Sequence, residues 1–144
     1  MNNLLKTYNF SNFEIVKGNG SYLYTADNRK LLDFSAGVAV NSLGYNHSIV
    51  KKTIQEQLKT GITHLSGSQI HSYKYKLSQL LSKKSNKGDV FFSNSGAESI
   101  EAALKIARNF GSSKGRDEVI AMTSSFHGRT IGALSVGSLS LIHI

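Results

Sequence analysis

The stretch Asp89-Val90-Phe91-Phe92-Ser93-Asn94-Ser95-Gly96-Ala97-Glu98-Ser99-Ile100-Glu101-Ala102-Ala103-Leu104-Lys105-Ile106-Ala107-Arg108 decides the fold. Its first residues form a short apolar run that predicts a strand. From Ile100 the period changes, and Ile100, Ala103, Leu104 and Ala107 fall on one face of a helix ended by Gly111. Between the two lies Ser95-Gly96-Ala97-Glu98, a capping-box spacing in which Ser95 and Glu98 satisfy each other's backbone donors. The same succession follows downstream. Glu118-Val119-Ile120-Ala121-Met122 predicts a second strand, Thr123 to Arg129 a Gly-bearing turn, and Ile131 and Leu134 a further helix. Strand, turn and helix, twice over, predict an α/β fold with a mainly parallel sheet flanked by helices. Ligands of such sheets sit beyond the carboxyl ends of the strands, so loops 93–97 and 123–129 are the candidate sites.

Upstream, the pattern is different. Phe13 and Ile15, then Ser21-Tyr22-Leu23-Tyr24-Thr25, then Leu31-Leu32-Asp33-Phe34 read as three short strands separated by Gly18-Asn19-Gly20 and Asp27-Asn28. They predict a small N-terminal antiparallel meander. From about His47 helical spacing takes over. Ile49, Val50, Ile54 and Leu58 mark one apolar face ending at Gly61, and Tyr73, Leu77, Leu80 and Leu81 mark another, closed by the basic turn Lys83 to Gly88.

Composition narrows the function classes. The 144 residues carry 17 Lys and Arg against 9 Asp and Glu, a net charge of +8, with no Cys. The absence of Cys removes disulfides, thiolate nucleophiles and Cys-ligated zinc. No apolar run approaches the roughly 18 residues of a membrane span, and Met1 to Lys6 lacks a signal peptide's apolar core, so a cytoplasmic location is expected. The Lys residues are scattered and no stripe of stacking aromatics runs between them, which argues against nucleic acid. A solvated face or a site for a small anion explains the excess more simply.

The two loops offer specific chemistry. A helix beginning at Gly96 presents free N–H groups and about half a positive charge, and Gly96 and Ala97 leave room for an anion to approach. Phosphate suits such a cradle. The alternative is that Ser95 only caps a helix. In the second loop Phe126 offers a flat apolar face and Arg129 a bidentate grip on a carboxylate, unless Phe126 is core and Arg129 an ordinary surface residue. His47, His64, His71, His127 and His143 have no metal-site spacing. Gly18-Asn19-Gly20 is no dinucleotide fingerprint, and no phosphate loop or nucleophile elbow occurs.

Taken together, residues 92–108 resemble the phosphate-binding segment of class III (ornithine-type) aminotransferases, and Phe126-His127-Gly128-Arg129-Thr130 resembles that family's next motif. Residues 32–47 look like the acetylornithine subgroup of the family. The resemblance spans residues 8–136. It implies the pyridoxal-phosphate-dependent transferase fold type I and a homodimer with its sites at the subunit interface. It also implies transamination between N-acetylornithine and 2-oxoglutarate in arginine biosynthesis. On this pattern Ser95, Gly96 and Ala97 hold the phosphate of pyridoxal 5'-phosphate, Phe126 stacks on its ring, and Arg129 binds the substrate's α-carboxylate. His127 belongs to the motif without an assigned step. A link from residues 61–67 to a partner subunit's cofactor is a further implication.

The family's cofactor-anchoring lysine has no counterpart here, since no Lys follows Lys114. No catalytic residue is therefore expected within this chain, which reads as an incomplete, N-terminal portion of the fold. Residues 1–46 read as a β segment of the small domain, 47–136 as the beginning of the large cofactor-binding domain, and 137–144 as an atypical tail. Two other functions stay open: a class III enzyme acting on ornithine, 4-aminobutyrate or succinyldiaminopimelate, and a non-catalytic module binding anions or nucleic acid.

Overall fold

The computed structural model describes residues 9–137 in two compact units, one ending at Gln69 and the other beginning at Ile70. His143 and most of the atypical tail, residues 138–144, lie outside the described residues.

In the first unit the expected meander forms. Strands β1 (Ile15–Asn19), β2 (Tyr22–Thr25) and β3 (Lys30–Leu32) make an antiparallel sheet in the order β1-β2-β3. Asn19 pairs with Tyr22 and Leu23 with Leu31, and the register slips between Ile15 and Lys17, as at a β-bulge. Thr25 is buried where β2 turns toward β3, and its hydroxyl accepts from the Arg29 amide at 2.9 Å and bonds to Asp27. Asn28 takes the positive φ of 64° that this turn requires.

Behind the sheet, Gly20 and Tyr45 exchange backbone hydrogen bonds of 3.0 and 2.8 Å. The Tyr45 ring lies so close to Gly18 that a Cβ there would meet it at 2.5 Å. Between the two, α1 (Ala36–Ala39) is a single left-handed turn, with φ of 45°, 62°, 63° and 66°. For a β-branched residue such as Val38 that conformation costs roughly 1–2 kcal/mol. Asp33 anchors its start by accepting from the amides of Ser35 at 2.9 Å and Ala36 at 3.1 Å. Helix α2 (Ser48–Lys59) follows and ends as expected, with Thr60 as C-cap and Gly61 beyond it at φ 70°.

The second unit holds α3 (Ser72–Lys84), α4 (Gly96–Ser112) and α5 (Ile131–Ser135). Helix α4 packs on α5, and Ala133 between them is fully buried. Two expectations need correcting. Residues 89–92 and 118–122 run without helix, but neither forms a ladder, so among the described residues the only sheet is the antiparallel meander. A strand exists only with a neighbour, and several apolar side chains of these segments lie open, Ile120 at 96% and Phe91 at 69%. The apolar stripes of α2 and α3 form as expected, and neither helix has a buried residue. Finally, Gly111 does not end α4. It lies inside the helix because the chain returns over it: its carbonyl accepts from Arg116 at 3.0 Å, and a Cβ would meet the Arg116 oxygen at 2.4 Å.

Candidate active site

The capping box predicted at the start of α4 is present. Ser95 Oγ accepts from the Glu98 amide at 3.2 Å, and Glu98 Oε2 accepts from the amides of Ser95 at 3.1 Å and Asn94 at 2.5 Å. The cap fixes where the helix begins and leaves the hydroxyl proton of Ser95 unused by the box. Ser93 braces the turn, its hydroxyl 2.5 Å from that of Ser99. In front of Gly96 there is open space, with nothing within 4 Å of where a Cβ would stand. The Glu98 amide is taken by the cap, and Gly96 has no neighbour on its side-chain side.

The second loop closes on that helix start. Ser124 turns the chain at φ 59°, and Gly128 continues it at φ 128°. Gly128 rests on Ala97 so closely that an added Cβ would come within 2.6 Å of the alanine methyl. Both the φ and the approach exclude any larger residue. One helical turn along α4, Glu101 accepts from the Gly132 amide at 3.0 Å. Hydrogen bonds from the Thr130 hydroxyl first, then from the Gly132 and Ala133 amides, outweigh desolvation. They hold this carboxyl below its ordinary value of 4.5.

The result is an open cleft of about 650 Å³, its walls including Gly96, Ala97, Phe126 and Arg129. Four of the five site residues expected from sequence therefore meet, although nearly thirty residues of chain separate the two loops. Ser95 stands just behind the cleft, at the cap. Phe126 is 53% exposed, so it is not core, and the Arg129 guanidinium carbon lies 5.5 Å from its ring centroid. Gly128, His127, Ser99 and Ile100 complete the lining. The last two, and Glu101, escaped the sequence reading. Ser99 was detectable as the residue one turn beyond Ser95, whereas nothing local marks Glu101, whose partner Gly132 lies 31 residues away.

The arrangement suits a ligand with an anionic group, a flat ring and a carboxylate. The amides can take the first, Phe126 the second and Arg129 the third. A cleft of this size falls in the usual range for small-molecule sites.

Comparison with known proteins shows the family. Residues 6–143 match the profile of the family described as Aminotransferase class-III, a span that includes most of 137–144. The chain is 39% identical over 143 residues to an acetylornithine aminotransferase of Caldanaerobacter subterraneus subsp. tengcongensis, covering 97% of this chain and 36% of that protein. It is 45% identical over 139 residues to the mitochondrial acetylornithine aminotransferase of Debaryomyces hansenii, covering 90% and 30%. Its backbone is similar to that of an adenosylmethionine-8-amino-7-oxononanoate aminotransferase from Methanocaldococcus jannaschii. That likeness has a TM-score of 0.83 at 28% identity, over 93% of this chain and 32% of the other. The chain thus spans about a third of the length of these relatives.

Proposed function

The chain belongs to the class III aminotransferases, and from that premise we propose that it is part of an acetylornithine aminotransferase. Such an enzyme moves the δ-amino group of N-acetylornithine to 2-oxoglutarate with pyridoxal 5'-phosphate as cofactor, in arginine biosynthesis. One observation carries this reading: the start of α4 and the Phe126–Arg129 loop line a single cleft.

The residues present fit the cofactor. Gly96 and Ala97 offer amides to its phosphate with no side chain in the way, helped by the positive end of a 17-residue helix. On this reading the Ser95 hydroxyl, at the cap, adds a donor. The exposed Phe126 ring offers its face to the pyridine ring. Arg129 binds the substrate α-carboxylate through parallel N–H bonds and so decides which amine faces the reacting centre. When bound, pyridoxal phosphate supplies the electron sink that amino-group transfer requires. His127 lines the cleft without an assigned step, and no residue of this chain is assigned the proton transfer.

The same reading allots residues 1–46 to a β segment of the small domain, 47–136 to the start of the large domain and 137–144 to an atypical tail. It also takes the enzyme as a cytoplasmic homodimer. Among the described residues no helix is long and apolar enough to cross a membrane. The likeness to an ornithine aminotransferase from Toxoplasma gondii, at 25% identity, supports one alternative, another class III enzyme acting on ornithine, 4-aminobutyrate or succinyldiaminopimelate.

The test uses the full-length protein. Pyridoxal phosphate added to the apoenzyme should produce a saturable absorbance change that N-acetylornithine then reverses. Arg129→Lys should raise the KM for N-acetylornithine about tenfold by removing the bidentate grip. No absorbance change in the wild type would overturn the cofactor assignment. A response to another of the named amines, with none to N-acetylornithine, would move the enzyme to that substrate.

A further inference from the structure

We propose that Glu101 is a positioning residue, clamping the Phe126–Arg129 loop onto α4 and thereby setting where Arg129 meets the substrate carboxylate; the inference rests on the transaminase reading above. Ala97 and Glu101 are four residues apart and share one face of α4. Gly128 lies against the first, too close for a side chain, and Gly132 lies against the carboxylate of the second. Arg129 belongs to the short arc between these two attachments, so its backbone has little freedom to move away from the helix.

The attachments differ in kind. The one at Ala97 is steric contact alone, which limits approach but does not hold. The one at Glu101 is held by a 3.0 Å bond from the Gly132 amide and by the Thr130 hydroxyl. Thr130 also caps α5, accepting from the Ala133 amide at 3.4 Å. Helix α5 has five residues, far below the length at which a helix sustains itself, so its place depends on what grips its first turn. The charged acceptor makes that grip stronger than a neutral one would be. Glu101 stands on the same helix that presents the Gly96 and Ala97 amides. One rigid element therefore carries both the phosphate cradle and the clamp, and the carboxylate site is kept in register with the phosphate site.

The experiment compares the wild-type full-length protein with Glu101→Ala and Glu101→Gln. Amide hydrogen exchange over residues 126–133, the Kd for pyridoxal phosphate, and KM and kcat for N-acetylornithine are measured together. In Glu101→Ala the Gly132 and Ala133 amides should exchange at least about tenfold faster. KM should rise about tenfold while kcat and the cofactor Kd stay within about twofold. Glu101→Gln keeps a carbonyl acceptor for Gly132 and should recover most of the lost KM. Should Glu101→Ala not fold, Glu101→Asp, one methylene shorter, takes its place. Unchanged exchange would overturn the clamp, and faster exchange with unchanged KM would reduce it to a purely structural bond. Absence of cofactor binding in the wild type is a different result, which removes the transaminase reading while the exchange data still decide whether the clamp exists.

Discussion

Asp33 organises its surroundings with one carboxylate. It takes the Tyr45 hydroxyl at 2.7 Å and the amides of Ser35 and Ala36, and these bonds, Tyr45 foremost, hold it below its ordinary value of 3.8. A carboxyl lowered on folding lends stability above its unfolded value and loses it as the pH falls through the folded one. Thermal melts of the full-length protein should therefore be insensitive to this group between pH 7 and 5 and should fall below 3.8. Tyr45→Phe should flatten that acid slope, and an unchanged slope would deny Asp33 the role. Legibility at this scale follows distance along the chain. Gly96, Ala97, Phe126 and Arg129 were readable because each stands at a set offset from a turn. Glu101 was not, because its partner Gly132 lies 31 residues away and a charge beside an apolar stripe reads equally well as a solvated residue.

Among the elements, the helices and the meander were legible, since periodicity, caps and turn residues all act within a few neighbours. Segments 89–92 and 118–122 were legible as extended chain but not as ladders, because pairing depends on partners that no local pattern names. The end of α4 failed for a related reason. Gly111 reads as a terminator when only its neighbours are considered, yet it answers to Arg116 crossing over it. This decides the sign of a substitution. In an ordinary helix interior Gly→Ala gains up to about 1 kcal/mol. Here the new methyl would meet a backbone oxygen at 2.4 Å, and overpacking of that kind costs about 1–3 kcal/mol. Gly111→Ala should accordingly lower the melting temperature of the full-length protein, and a rise would show that the 113–116 turn moves aside at little cost.

Across the whole molecule, large apolar side chains stand open in both units. Phe34 is 90% exposed, Ile120 96% and Ile131 90%. Surfaces of this kind associate unless something covers them. The 144-residue chain prepared alone should bind a dye such as anilinonaphthalene sulfonate and sediment as a concentration-dependent mixture. A monomer that melts cooperatively without binding dye would contradict this. The meander has its own consequence, which concerns time. β1, β2 and β3 complete their pairing within residues 15–32, and a hairpin closes in roughly 1–10 μs. A ribosome adds about 5–20 residues each second, so this sheet samples its pairing on the order of ten thousand times while a single further residue is joined. Closing this meander is therefore not the step that limits how fast the chain folds.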